Sequence, residues 1–352
     1  MVGMRDVAKK AGVSLSTVSL VINNGEHVSD DVRSRVEWAM GVLNYVPNEM
    51  ARNLSKNRTN LVGVIMPTLR HPFFATLFAS LQTSLEERGV LALPCSTSDM
   101  KRGEAEYVEM LHRRMMDGII MGAHTAHSSD YWTGIGHPVV AFDRYLGMGI
   151  PMVGSDHEQG SRLVADRLIR SGVRHVVNIG GPRSQFHDLA ELMASSGGDV
   201  DLSTSFPSLS SYLVFREMFS QAGVRWDYME SGGVDDLNGY TKAAHDLFDR
   251  YPDVDAIISA DLPAALCMRE AQSRGLRIPD EVQIVAYDGT YVTQLVDGGM
   301  TAICQDFTSI ASLLTRRLMQ LIEGPSADDV VDTGVDRVPM ALREGATTRR
   351  PE

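Results

Sequence analysis

From Leu61 onward, short apolar runs alternate with longer amphipathic stretches, a rhythm that few architectures satisfy. Leu61-Val-Gly-Val-Ile-Met-Pro67 reads as a strand, and residues 73–88 follow with apolar side chains at helical spacing, Phe74, Leu77, Leu81 and Leu85. The same pattern predicts strands over 91–97, 117–122, 138–143 and 152–155, with a helix over 103–116. It continues with a helix over 158–170, strands over 175–180, 254–259 and 282–287, and a helix over 263–274. A last strand over 301–305 leads into a helix ending near Glu323. Parallel neighbours need a crossover helix, so this rhythm implies parallel sheets covered on both faces. At 352 residues the chain has room for two such sheets and a small further domain. Residues 183–211, rich in Ser, Gly and Asp, break the rhythm and read as a long surface connection with little regular structure.

Composition narrows the class. Apolar residues at 43% and charged residues at 22% suit a soluble globular chain with a substantial core. No apolar run approaches the roughly 18 residues that cross a bilayer, and the start carries no apolar signal core, so a cytoplasmic protein without a membrane partner is expected. Cys95, Cys267 and Cys304 are odd in number and widely spaced, which points to reduced thiols and neither a disulfide framework nor a cysteine zinc site.

The net charge of −12 hides an asymmetry. Residues 1–60 hold eight Lys or Arg against six Asp or Glu, a net of +2, and the remainder is −14. A basic terminus on an acidic body prompts a search for nucleic-acid recognition. Val7, Ala8 and Ala11 share one face of a short helix, Gly12-Val13 makes a turn, and Ser14 is a good N-cap for a helix from Leu15 to about Asn23. Val18, Val21 and Ile22 give that helix its buried side, leaving Ser14, Leu15, Ser16, Ser19 and Leu20 on or near the other. A third helix is expected over 30–44, capped by Ser29. Two short helices joined through a glycine turn form a helix-turn-helix, whose second helix enters a major groove. An ordinary three-helix cap on an α/β body is the alternative.

Asn48 would cap a further helix of about two turns, too short to stand alone in water. It carries Arg52 and exposes Leu54, with Lys56 and Arg58 close behind. Such a segment can fold on DNA and wedge its leucine into the minor groove.

These residues resemble the LacI/GalR family of bacterial transcriptional repressors. The pattern Val7-Ala8-x-x-Ala11-Gly12-Val13-Ser14-x-Ser16-Thr17-Val18-Ser19-x-Val21-x-Asn23, with Tyr45-x-Pro47-Asn48 and Ala51-Arg52-x-Leu54, carries the likeness over the first 60 residues. It continues in His71-Pro-Phe-Phe74, Phe142-Asp143-Arg144, Ser155-Asp156, Gly180-Gly181-Pro182, Tyr287-Asp288 and Gln305. The resemblance implies a small all-α helix-turn-helix head over 1–47, a hinge helix and linker over 48–60, and a periplasmic-binding-protein-like body over 61–352. That body would hold two parallel-sheet α/β subdomains, about 61–157 with 290–323 and about 158–289 with 324–345, crossed three times by the chain.

The resemblance also implies function: a repressor binding double-stranded, pseudo-palindromic operator DNA as a homodimer, or a higher assembly, and modulated by a small, sugar-like effector in the cleft. It implies no catalysis, no cofactor and no metal. Carried over residue by residue, base contacts fall on Leu15, Ser16 and Leu20, with Ser14, Thr17, Ser19, Asn23 and His27 nearer phosphates; Asn48, Ala51, Arg52, Leu54 and Lys56 belong to the hinge. Leu20 stands where many members have arginine, and it offers a thymine methyl contact where arginine would grip guanine. Effector positions fall on Arg70, Phe73, Phe74, Asp143, Ser211, Asp261, Asp288 and Phe307. Carboxylates beside aromatics suit a polyhydroxylated ring. Two departures count against an ordinary sugar: Ser211 stands in place of the usual arginine, and Ala260 in place of the usual asparagine before Asp261. A degenerate or non-sugar effector site therefore stays open, as do a solute-binding protein without regulatory output and a sugar-acting enzyme. His124-x-x-His127 has metal-like spacing but no evident third ligand. No G-x-G-x-x-G, G-x-S-x-G or G-x-x-x-x-G-K-[ST] occurs.

Overall fold

The computed structural model describes residues 2–23, 25, 27–47, 58–99, 103–124, 127–186, 206–324 and 334–350. The chain divides into two compact units, Met1–Thr59 and Asn60–Glu352.

The first unit is helical. α1 (Met4–Ala11) ends where Gly12 turns to φ 66°, a left-handed cap that costs glycine nothing. α2 (Leu15–Ile22) starts at Ser14, whose side chain accepts from the Thr17 amide at 3.0 Å, and α3 (Asp30–Val42) is capped by Ser29 in the same way. Val7, Ala11, Val18, Val21, Val36 and Ala39 meet in one small core.

The second unit holds two six-stranded sheets. Its elements run β1 (Leu61–Met66), α4 (Pro72–Glu86), β2 (Leu91–Ser96), α5 (Glu104–His112), β3 (Gly118–Met121), α6 (Ser129–Thr133), β4 (Val139–Phe142), β5 (Met152–Ser155), α7 (His157–Arg170) and β6 (His175–Gly180). They continue as α8 (Ser208–Gln221), β7 (Arg225–Glu230), α9 (Leu237–Arg250), β8 (Ala256–Ala260), α10 (Asp261–Ser273), β9 (Gln283–Asp288), β10 (Thr301–Cys304), α11 (Phe307–Glu323), β11 (Val335–Val338) and β12 (Ala341–Arg343). The first sheet is ordered β11-β5-β4-β3-β1-β2 and the second β12-β10-β9-β8-β6-β7. All pairings are parallel except β10 with β12, which run antiparallel at an edge.

Strands β1, β3, β4 and β5 are buried almost throughout because helices cover both faces. α4 begins with Pro72 in its first turn, where a missing amide costs nothing, and buries Phe73, Phe74, Leu77, Leu81 and Leu85 with Ile310, Leu314 and Leu318 of α11. Each fully buried leucine contributes about 1.5–3 kcal/mol. In the second sheet, Ile257 and Ile284 pack on α9 and α10, while Ile258 and Val285 pack on α7 and α8.

The first crossing between subdomains lies where the sequence places it, near residue 157, but the other two lie elsewhere. Thr301–Cys304 pairs with β9, Cys304 opposite Asp288, so residues before Gln305 belong to the second sheet and not to a segment starting at 290. Val335–Val338 pairs with β5, Val338 opposite Ser155, so the stretch after 324 returns first to the first sheet. The three passages are therefore at residues 155–157, 304–307 and 338–341, and strand pairing decides it where a lone apolar run does not. The surface connection expected over 183–211 also differs at its ends: Arg183–Gln185 is a 3-10 turn and α8 starts at Ser208, while 187–205 lie outside the described residues. β7 and α9 occupy residues to which the apolar rhythm assigned nothing, because Arg225-Trp-Asp-Tyr-Met-Glu230 is half polar at a sheet edge.

Candidate functional site

Two sets of residues stand out, one in each unit. On α2, Leu15 and Leu20 are 41% and 47% exposed, large apolar side chains with no core to fill. Ser14, Ser16, Asn23 and His27 are also exposed, and Thr17 and Ser19 are half-buried. Ser14 Oγ lies 2.7 Å from both Ser16 Oγ and Thr17 Oγ1, and Asn23 Nδ2 donates to the Ser19 carbonyl at 2.8 Å. The face is preorganised, with its hydroxyls and amide held by short local bonds. The expected hinge residues Asn48, Ala51, Arg52, Leu54 and Lys56 lie outside the described residues.

In the second unit a cavity of about 420 Å³ opens where the C-terminal ends of the two sheets face each other, the place where parallel sheets receive ligands. Asp143 follows β4 at φ 51° and Asp288 ends β9 at φ 121°, both left-handed and neither glycine. Backbone strain of this kind costs of order 1–3 kcal/mol per residue and is concentrated at functional sites. Asp143 folds over Gly154, where any Cβ would overlap its carboxylate. Its Oδ1 accepts from the Ser155 amide at 3.0 Å and its Oδ2 lies 3.0 Å from His157 Nε2. His157 Nδ1 lies 3.1 Å from the Tyr287 hydroxyl, which is 3.0 Å from Ser211 Oγ and 3.3 Å from Ser161 Oγ. On the other side Ser155 Oγ donates to Gln305 Oε1 at 2.6 Å, and Gln305 Nε2 donates to Asp288 Oδ1 at 2.8 Å.

Charge in the cavity is mostly settled internally. Burial alone would lower the pKa of His157, but the Asp143 carboxylate outweighs it and holds the imidazole well above 6.5. Asp288 is pushed well above the usual carboxylate range by burial and by Asp261 beside it. Arg144 is fully buried, which brings it down to about 10, and its Nε donates to the Gly122 carbonyl at 3.0 Å. Burial lowers His71 to about 4, so it is neutral and caps α4 through the Phe73 amide. Hydroxyls and amides, among them Ser98, Ser231 and Asn178, complete a lining rich in Phe, Tyr and His rings.

Of the effector positions read from the sequence, Phe73, Phe74, Asp143, Ser211 and Asp288 line this cavity together. Three do not. Arg70 has a largely exposed side chain, paired with Asp99 at 2.8 Å. Asp261 is turned away to accept from the Gly289 and Thr290 amides, which fixes the loop after β9. Phe307 packs behind Phe73 at a ring distance of 5.5 Å. His157 and Tyr287 were missed as site residues. Their signal was position: His157 directly follows the Asp156 cap at a crossing, and Tyr287 precedes Asp288. The His124-x-x-His127 pair diverges, His124 against Phe206 and His127 stacked on Tyr131 and paired with Glu104. Among the described residues no group of three His, Cys, Asp or Glu is placed to hold a metal ion.

Comparison with known families decides what this pairing of units is. Residues 3–48 match the model of bacterial regulatory proteins of the lacI family. Residues 59–192 match periplasmic binding proteins and the sugar binding domain of the LacI family, and residues 165–348 match the periplasmic binding protein-like domain. The chain belongs to the LacI family. The sucrose operon repressor of Streptococcus mutans is 33% identical over 320 residues, covering 91% of this chain and 92% of that one. The ribose operon repressor of Halalkalibacterium halodurans is 29% identical over 330 residues, 93% and 92% of the two chains. The crystal structure of the Lac repressor dimer bound to operator and an anti-inducer shares the fold, with a TM-score of 0.77 at 23% identity over 99% of each chain. The α2 face lies within the residues matched by the lacI regulatory model, and the cavity within those matched by the two periplasmic-binding-protein-like models. No described helix is long and apolar enough to cross a membrane.

Proposed function

We propose that this chain is a cytoplasmic, dimeric operon repressor that grips a two-fold operator through α2 and the segment after Pro47, and that a small, neutral, polyhydroxylated ligand in the cleft changes the angle between the two subdomains. The observation that carries the effector reading is the pair of left-handed carboxylates, Asp143 and Asp288, facing one aromatic-lined cavity from different sheets. A ligand touching both senses the angle between them, and it shifts that angle only as far as it binds the two arrangements differently. The repressors of sucrose and ribose operons among the relatives support a sugar or sugar derivative. Leu15, Ser16 and Leu20 would read base edges, Ser14, Thr17, Ser19, Asn23 and His27 would meet phosphates, and Arg52, Leu54 and Lys56 would act in the minor groove.

A second reading is favoured by Ser211 and Ala260. The Ser211 hydroxyl is spent on Tyr287, and Ala260 offers the cavity only a methyl, so the groups that in the family commonly grip sugar hydroxyls are replaced. A less hydroxylated effector with a flat apolar face would suit the rings that remain. One experiment separates the readings: a gel-shift on the DNA upstream of the protein's own gene, with sucrose, ribose and their phosphates added in turn. A sugar that changes the retarded fraction supports the first; a specific shift indifferent to every sugar supports the second. Absence of any sequence-specific shift overturns both.

A further inference from the structure

The three passages between subdomains are stitched to one another. Ser155 Oγ bonds Gln305, the Asp156 amide donates to the Val338 carbonyl at 2.8 Å, and Gln159 exchanges two bonds with the Met340 backbone. His157 closes the first passage and, like Gln305 between Ser155 and Asp288, is bonded to both subdomains: to Asp143 at the end of β4 and to Tyr287 on β9. Its ring lies nearly parallel to the tyrosine, at 16° and 5.9 Å. All three side chains line the cavity.

We propose that His157 is the coupling residue of this protein, a strap between the subdomains through Asp143 and Tyr287 that a cavity ligand opens by taking one of those partners for itself. The inference rests on the effector reading above and adds the means of transmission. Both ring nitrogens face oxygen: in the neutral ring Nε2–H donates to the Asp143 carboxylate and Nδ1 accepts from the Tyr287 hydroxyl, and the strap is strongest when the imidazole carries both protons, Nε2–H donating to the carboxylate with the charge behind it and Nδ1–H to the Tyr287 oxygen. The tyrosine proton then goes to Ser211, Ser161 or the Met340 sulfur, 3.7 Å away. A ligand hydroxyl accepted by Asp143, or a ligand oxygen facing Tyr287, competes directly for these bonds. Occupancy and strap are therefore linked, with a coupling that in such systems amounts to about 5- to 150-fold in affinity.

The other charged groups around the ring do not supply a substitute. Asp288 is near enough to interact electrostatically but bonds Gln305, and Arg337 lines a small adjoining pocket with His157 and Asp143. Asp143, held by both the Ser155 amide and the imidazole, favours the charged ring, and the strap weakens as pH rises through the histidine's raised value and Nε2–H loses its charge.

The test uses the full chain without ligand. Imidazole nitrogen-15 spectra from pH 6 to 9 should show His157 titrating well above 6.5 in the native protein, and at or below about 6.5 in Asp143→Asn. In parallel, affinity for the upstream DNA fragment is followed over the same pH range by fluorescence anisotropy, at constant salt. The native protein should change affinity at least about fivefold as His157 deprotonates. His157→Phe, which keeps the ring on Tyr287 and removes both bonds, should show no such transition. Tyr287→Phe, which keeps the Asp143 bond, should fall between. A His157 that is neutral at pH 7, or a His157→Phe protein with the native pH profile, overturns the strap; so does a Tyr287→Phe protein identical to native if His157→Phe does not fold. If no protein binds the fragment, the operator reading falls, and the nitrogen spectra of native and Asp143→Asn protein still decide for or against the strap.

Discussion

The α2 face and the effector cleft are built on opposite plans. The α2 face, the proposed DNA reader, is assembled within a dozen residues by bonds two to four positions apart, Ser14 to Ser16, Ser14 to Thr17, Asn23 to Ser19. The cleft is assembled by bonds between residues 14 to 150 positions apart, Asp143 to His157, His157 to Tyr287 and Ser155 to Gln305. The first presents side chains outward and keeps their bonding simple; the second spends most of its side chains on one another. A surface of the first kind can be altered residue by residue, whereas in the cleft each change is felt across two sheets.

Salt separates the two most sharply. DNA binding by a small head on an acidic body should lose about a thousandfold in affinity or more between 50 and 200 mM salt, as expected for several phosphate contacts, while ligand affinity of the cleft stays within about twofold. A flat salt series for DNA would break the division. Gly154→Ala comes next. The added methyl overlaps the Asp143 carboxylate, which has no room to retreat from the Ser155 amide, so thermal denaturation should report a loss of about 2–3 kcal/mol and the ligand response should vanish. DNA binding by the ligand-free protein should persist below the melting point, because the head core shares no residue with this contact.

Ser14→Ala should cost about 1 kcal/mol of head stability through the lost cap, read as a fewfold drop in operator affinity with the body's melting unchanged. The smallest shift is expected for Asp288→Asn. Burial and Asp261 raise Asp288 above its unfolded value, so the folded state binds the extra proton and stability declines as pH rises from about 3.8 through the raised folded value. Asparagine keeps the acceptor for Gln305 and removes that decline, so melting curves of the variant should be flatter than native above pH 4 and slightly higher at pH 7. A variant with the native slope would assign the decline to Asp261, which burial raises to about 6.

The difference in plan also explains what could be read from the sequence. The helix-turn-helix was legible because its caps, turn glycine and apolar spacing all lie within a few residues of each other. The parallel rhythm was legible in β1, β3 and β4, whose buried runs leave no alternative. Asp143 and Asp288 were named through the family resemblance, in Phe142-Asp143-Arg144 and Tyr287-Asp288. Asp261 stood out for the same reason and yet faces the Gly289 and Thr290 amides, and nothing local in its sequence distinguishes the two orientations. His157 and Tyr287 gain their meaning only from each other, 130 residues apart, and the strand swaps at Thr301 and Val335 depend on which sheet has a free edge.

Those swaps have a consequence for how the chain is made. Each sheet receives its outermost strand from the final stretch, β11 on the first and β12 on the second, and the second is then fastened by Glu344, Thr348 and the Arg349 carbonyl around buried Arg167. A ribosome must therefore translate as far as β11 before the first subdomain is finished and as far as β12 before the second, whereas the head is free to fold as soon as its three helices emerge. A nascent chain passes through a long interval in which the DNA reader is formed and its regulator is not.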